Sequence, residues 1–290
     1  MKRPAGISSI TLSNEPYEST YPPLGFHEFS EHQLGNGDVF GLYWPVGYED
    51  DEPLIAETWH DEWSIRPQFS SLERFLAAAD SSLDAEDEED GWLPAPDLET
   101  DPASPVAGMT KAREMLKLAQ VDEAIALLEA ITRRIPEYVE AQALLSAQLR
   151  RVKRSDDAVR AGLIAVRAPA CFGTEAAQVL AWLARQSHAP EDCADDPLWL
   201  ARGELKFKFG GTKENPDYGV LRRIIDSYLA ASEWTKALMM IMSYGDYMRA
   251  ETTAFQARHD FEMSTFLTWQ REVALRVHPS GRTLPAVEPS

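Results

Sequence analysis

Met115-Leu116-Lys117-Leu118-Ala119-Gln120-Val121-Asp122-Glu123-Ala124-Ile125 is answered 34 residues later by Leu149-Arg150-Arg151-Val152-Lys153-Arg154-Ser155-Asp156-Asp157-Ala158-Val159. Ala112 and Ser146 keep the same interval, as do Ala124 and Ala158, and Pro136 and Pro169 close the two units 33 apart. Small side chains at two fixed places let paired helices approach closely. A proline, which has no N–H to donate, stops the second helix of each pair. The pattern predicts two antiparallel helical hairpins. Toward the C-terminus the apolar spacing predicts helices over 174–186, 218–231 and 234–247, then one long helix over 251–275 that caps the array.

A period of 34 with small residues in these places resembles the tetratricopeptide repeat. Gly108 and Gln142 stand where that repeat usually begins with Trp, so the resemblance lies in period more than in content. Upstream, Asp80 to Asp90 is a block of acid that self-repels, and Pro94, Pro96, Pro102 and Pro105 follow it. We read 81–107 as an acidic, proline-rich linker, with Trp92 its one aromatic anchor. Before it the period is strand-like. Val39-Phe40-Gly41-Leu42-Tyr43-Trp44 and Leu54-Ile55-Ala56-Glu57-Thr58-Trp59 are β-rich runs, and the first follows the tight-turn signal Asn36-Gly37. Ser70 stands three residues before Glu73, as in a capping box, and Leu72, Phe75, Leu76 and Ala79 share one helical face. The expected fold is an α+β head at 1–80, a small antiparallel sheet with a helix. It is joined to an all-α helical-hairpin, tetratricopeptide-like array at 108–278 and a disordered tail at 279–290.

Charge divides along the same line. Residues 1–105 hold four basic and 23 acidic residues, so the whole net charge of −19 sits there, and the remainder sums to zero. Such a field repels nucleic acid and anionic lipid and attracts basic surfaces. No apolar run approaches the roughly 20 residues a membrane-spanning helix needs. The start, Met1-Lys2-Arg3-Pro4, leads into polar Ser8 and Ser9 rather than an apolar signal core. Cys171 and Cys193 have neither a disulfide framework nor metal spacing. The expectation is a cytoplasmic protein with no nucleic-acid or membrane partner.

Gly35-Asn36-Gly37-Asp38-Val39-Phe40-Gly41-Leu42-Tyr43-Trp44-Pro45, then Glu52-Pro53-Leu54-Ile55, His60-Asp61 and Pro67-Gln68-Phe69-Ser70-Ser71-Leu72-Glu73-Arg74-Phe75-Leu76, resemble the C-terminal half of the SUKH superfamily. That superfamily contains fungal cell-wall assembly regulators and bacterial immunity proteins. The resemblance covers residues 24–79, while residues 1–30 depart from the family's usual helical start. It implies a binding fold without catalysis, whose bacterial members neutralise toxins, often nucleases, by direct contact.

The motifs of chemistry are mostly missing. Gly35-Asn36-Gly37 has no following Lys-Ser/Thr, and no Gly-x-Ser-x-Gly elbow occurs. His60-Asp61-Glu62 is the best catalytic or metal-binding candidate, with His27 and His32 as further ligands. In an extended strand, however, neighbours point to opposite faces, so His60 and Asp61 are not expected to converge. Lys206-Phe207-Lys208-Phe209 reads as a helix end with a glycine exit, and Met239, Met240, Met242 and Met248 as core filler.

These readings combine into one expectation: a non-enzymatic, immunity-type protein that binds a cognate toxin with a basic surface and uses neither cofactor nor metal. The candidate contact residues are Asp50, Asp51, Glu52, Glu57, Trp59, Asp61, Glu62, Trp63 and Trp92. In that picture Trp59, Asp61 and Trp63 share one side of a strand. The alternatives are a regulatory or chaperone-like scaffold that binds peptides through its helices, and an enzyme built around His60-Asp61.

Overall fold

The computed structural model describes residues 12, 18–33, 36–83, 95–210 and 214–283, without the side chains of 30–33 and 81–83. Trp92, the acid block from residue 84 and the last seven residues lie outside the described residues. Four strands, β1 (Phe26–Gln33), β2 (Val39–Tyr43), β3 (Leu54–Trp59) and β4 (Ser64–Phe69), form an antiparallel meander in sequence order. Helix α1 (Leu72–Leu83) follows. Its cap is Ser71, which accepts from Arg74 N, rather than the expected Ser70. Ser70 gives both its N–H and its hydroxyl to the Asp101 carboxylate instead.

Strand alternation sends the two faces of this sheet to different cores. Phe29, Phe40, Leu42, Ile55 and Phe69 pack on Phe75 and Leu76 of α1. Phe26, Val39, Tyr43, Leu54, Ala56 and Ile65 pack in one cluster with Met109, Ile125, Leu128, Ile131, Leu145 and Phe172 of the helical half. The expected boundary between head and helical half is therefore not a break in packing, because the sheet lends one face to the helices' own core. The expected linker is corrected likewise. Asp101 is 1% exposed and Ser104 bonds to Gln68 O. Ser104 also caps helix α2 (Pro105–Lys117), which starts three residues earlier than expected. Proline at the first helical position suits that start, since its missing N–H would have had no intrahelical acceptor.

Helices α3 (Val121–Arg134), α4 (Val139–Arg151) and α5 (Ser155–Arg167) complete two hairpins with α2. A helical turn (Ala170–Phe172), α6 (Ala176–Leu183) and α7 (Pro197–Ala201) lead to a third pair, α8 (Pro216–Ala230) and α9 (Trp234–Arg249). The hairpin turns share one geometry. Ala119, Lys153 and Ser232 take φ of 61°, 64° and 58°. The next N–H in each bonds five residues back: Gln120 to Met115 O, Arg154 to Leu149 O and Glu233 to Tyr228 O, all at 2.9 Å. This is the Schellman closure of a helix end. Ala124, Ala158 and Ala237, each five residues past the turn, are 0% exposed, so the close approach of the paired helices extends to the third hairpin.

The expected long last helix is broken into α10 (Thr253–Arg258) and α11 (Met263–Val277). Asp260, at φ 51°, makes the same closure, and Glu262 restarts the helix by accepting from Ser264 N and Thr265 N. Met239, Met240, Met242 and Met248 are buried, as core filler should be. Residues 205–210 are irregular rather than a helix end, pinned by the Asp217 carboxylate, which accepts from Lys206 N and Lys208 N. No helix among the described residues is long and apolar enough to cross a membrane. The tail assignment is corrected up to Thr283. Residues 278–283 fold back as a strap on the head, and the Arg282 side chain is 0% exposed.

Candidate protein-interaction surface

Residues 44–53, between β2 and β3, carry the first three predicted contact residues. Two consecutive turns shape the loop, with Tyr48 N bonded to Pro45 O and Asp51 N to Tyr48 O. The Trp44 indole N–H donates to Asp51 O at 3.0 Å. Val46, 1% exposed, anchors the loop by donating its N–H to Glu137 Oε1 at 2.8 Å, and Tyr43 OH donates to the same oxygen at 2.5 Å. Burial pushes the Glu137 carboxyl above its ordinary range. Glu49 turns inward to the Arg282 guanidinium at 2.5 Å. Arg282 also donates to Leu24 O and Trp44 O, and any side chain at Gly25, where φ is +97°, would collide with the guanidinium. The loop is thus fixed from beneath by the α3–α4 connection and the strap, and Asp50, Asp51 and Glu52 face solvent.

Their environments differ. Asp50 meets His278 Nε2 at 3.1 Å while its side chain stays 91% exposed. Among the described residues the carboxylates of Asp51 and Glu52 make no ion pair, and with Tyr48 they line a groove of about 400 Å³ against Arg133 and Arg134 at the end of α3.

The remaining acids and aromatics do not join them. Glu57 is 6% exposed and accepts from Gln68 Nε2, and burial raises its carboxyl pKa, so it is an interior residue rather than a contact. Residues 60–63 are a turn, not a strand, with Glu62 N on Trp59 O and Trp63 N on His60 O, so the expected alternation stops at Trp59. Of the expected aromatic contacts in the head, Trp59 is half-buried and Trp63 stays 52% exposed, and each carries a guanidinium on its ring. The Arg66 guanidinium lies 3.3 Å over Trp59, and that of Arg249 lies 3.7 Å over Trp63, whose edge meets Tyr21. Asp61 and Glu62 are exposed, but at the opposite end of β3, roughly 17 Å of strand from residue 54 at about 3.3 Å per residue. The predicted residues form two acidic edges rather than one patch.

The same turn corrects the reading of His60. Bending brings His60 Nε2 to 3.1 Å from Asp61 Oδ1, and Nδ1 lies 2.8 Å from Asp38 Oδ1. Asp38 is held by Asn36 Nδ2, so the Asn36-Gly37-Asp38 turn and the His60-Asp61 turn lock the same end of the sheet. The hydrogen bond to Asp38, then the charges of Asp61 and Asp38, raise the His60 pKa above its ordinary value. Both ring nitrogens face carboxylates, so His60 clamps the two turns together. Asp38→Asn is expected to lower the His60 pKa, read from the pH titration of its ring proton. An unchanged titration would remove Asp38 as the cause.

His27 stands in β1, edge-on to Trp44 with ring centroids 5.6 Å apart. Burial first and Arg282 second lower its pKa to about 4. His32 also lies in β1, but its side chain is outside the described residues. Among the described residues no three His, Cys, Asp or Glu side chains are grouped to hold a metal ion. The two cysteines are free thiols. Asp38, Glu49, Glu137, His278 and Arg282, which organise both edges, were not marked as site residues by the sequence. Only Asp38 stood in a quoted motif, and there as a turn residue.

The family model of the YfbP N-terminal domain matches residues 12–92, which span the sheet and α1. That of the YfbP C-terminal domain matches residues 208–283, ending one residue beyond Arg282. Over 266 residues the chain is 34% identical to the protein of Escherichia coli (strain K12) described as "Uncharacterized protein YfbP", covering 91% of this chain and 92% of that one. Matched at both ends by the family's domains and along nearly all its length by a member, the chain belongs to the YfbP family.

Proposed function

We propose that this protein acts by binding another protein, one with a basic surface, through the acid-rich loop at 50–52, and that it catalyses no reaction. The observation that carries the reading is the seating of this loop. A fixed backbone holds three neighbouring acids in solvent, and among the described residues the carboxylates of Asp51 and Glu52 make no ion pair. Fixed, unpaired charge of one sign steers a complementary partner and rejects wrong ones. The SUKH-like order of the head favours an immunity-type role in the cytoplasm, neutralising a toxin by contact. The acid-rich N-terminal third argues against nucleic acid as partner. A second reading, a scaffold for peptides, is favoured by a groove of about 430 Å³ along α3, α4 and α5 whose floor includes Leu145, Leu149 and Ile164. The tetratricopeptide-like period of these hairpins fits that use.

The test is capture of partners by the full chain at low and high salt, followed by association kinetics with what is captured. Asp50→Asn, Asp51→Asn and Glu52→Gln together are expected to slow association about tenfold at low ionic strength and to flatten its salt dependence. Kinetics unchanged across ionic strength would sink the acidic loop as the contact.

A further inference from the structure

The strap and the head enclose a cleft of about 220 Å³. His27, Trp44, Glu49 and Asp50 stand on the head side and His278 and Arg282 on the strap side. We propose that this cleft receives one basic side chain, a guanidinium or an ammonium, presented by a partner protein. The inference rests on the reading of the acidic loop as a contact for a basic protein, and it names where that contact is anchored.

Size is the first argument. The cleft has room for about seven waters at roughly 30 Å³ each. That admits one arginine or lysine side chain with a few waters beside it, and excludes a folded peptide. Charge is the second. The Arg282 guanidinium is already committed, to the Glu49 carboxylate and to the carbonyls of Leu24 and Trp44. Glu49 and Asp50 then set two carboxylates against one guanidinium, and a histidine with a pKa near 4 adds no charge at neutral pH. Asp50, with the His278 imidazole on it, is the carboxylate left for a guest, and a cation pairs with it by charge where a neutral donor offers a hydrogen bond alone.

The chemistry of the walls is the third argument. Trp44, in the cleft wall, is held by its N–H on Asp51 O and by near-perpendicular packing with His27, so an indole that can meet a cation is already fixed in place. One nitrogen of the neutral His27 ring is turned to the Arg282 backbone, which leaves the other to accept an N–H from a guest. Asp50 stands at the rim, 91% exposed and, among the described residues, held by His278 Nε2 alone at 3.1 Å. A guest guanidinium offers it a charge-assisted, bidentate pairing in exchange for a hydrogen bond to an imidazole.

The test uses the purified full chain and three probes: N-acetyl-arginine amide, N-acetyl-lysine amide and the uncharged isostere N-acetyl-citrulline amide. Binding is followed by NMR at the Trp44 indole and the His27 and His278 rings. The arginine probe is expected to shift these signals with a millimolar dissociation constant, and citrulline to bind at least tenfold more weakly. Asp50→Asn, at an exposed position that should not disturb folding, is expected to weaken the arginine probe about tenfold. Glu123→Gln, which removes the same charge from the exposed side of α3, should not. Equal binding of citrulline, or undiminished binding by Asp50→Asn, overturns the inference. If the arginine probe fails while captured partners still respond to neutralising residues 50–52, the cleft is wrong and the protein-binding reading stands. If the probe binds but no partner is captured, the cleft stands as a site for small cations and the reading falls.

Discussion

Replacing Arg282 with alanine is expected to cost about 3–5 kcal/mol of folding stability, although the residue lies near the end of the chain. Its guanidinium is 0% exposed and pairs with a Glu49 side chain that is only 5% exposed. Its other N–H groups satisfy Leu24 O and Trp44 O from the head. Truncation leaves the Glu49 carboxylate buried with only Gly47 N to donate to it, and it strips the donors from two carbonyls. Breaking one side of a buried pair costs far more than the pair is worth, because the abandoned charge keeps its desolvation penalty. Arg282→Lys should recover little, since an ammonium cannot reproduce the planar fork. Arg282→Met with Glu49→Gln should recover more than Arg282→Met alone, because no full charge then stays buried. The measurement is urea unfolding followed by tryptophan fluorescence. A loss below about 1 kcal/mol for Arg282→Ala would show that the strap does not fasten the head.

That contact spans 258 residues between Leu24 and Arg282, which is why no local pattern announces it. One arginine between Ser280-Gly281 and Thr283 has no periodicity and no capping role to read, so the tail assignment failed where the chain returned to the head. The hairpins were legible for the opposite reason. Their determinants, small residues and turn closures, repeat within 34 residues, and the backbone repeats them at Ala119 and Lys153. The third hairpin is harder to see, because Ser232 lies 79 residues beyond Lys153 and outside the period, yet its geometry is the same. Asp260 hid the break in the last helix, since an aspartate at positive φ leaves no glycine to mark it.

The merging of head and helices did leave a trace. Val39-Phe40-Gly41-Leu42-Tyr43 is buried at every position, and a strand with both faces covered reads as a continuous apolar run rather than an alternation. A single helix can cover only one face of a four-stranded sheet, so the run itself implied a second covering layer. The acidic contact residues were legible as exposed charge at 50–52, 61 and 62 but not at Glu57, which looked like one more acid in an acid-rich head. Its place in β3, between Ala56 and Thr58, puts it under the sheet, where Gln68 of β4 satisfies it. Charge counts locate a field; they do not tell which members of the count face water.

The second large effect is a fall in stability with rising pH that Asp246 causes. Asp246 lies in α9 beside Thr20, with Cys171, Tyr247 and Arg249 near it. The residue as a whole is half-buried, but its Oδ1 is sealed from solvent and, among the described residues, has no hydrogen-bond partner. Burial pushes the carboxyl up to about 7, and neither Thr20 nor the Arg249 charge offsets it. An unfolded aspartate titrates near 3.9, so between about pH 4 and 7 the native state holds a proton that the unfolded state has released. Stability therefore falls as pH rises through that window and levels off above it. At 1.36 kcal/mol per pKa unit the fall is about 2–4 kcal/mol, the lower figure allowing for partial exposure. His27, lowered to about 4, acts in the opposite direction over the acid part of the same range, so the wild-type curve alone is ambiguous. The difference between wild type and Asp246→Asn removes that ambiguity, because His27 is common to both. We expect the two to be close in stability at pH 4 and the variant to be the more stable at pH 8. A difference that stays constant from pH 4 to 8 would mean that Asp246 keeps an ordinary pKa in the folded protein.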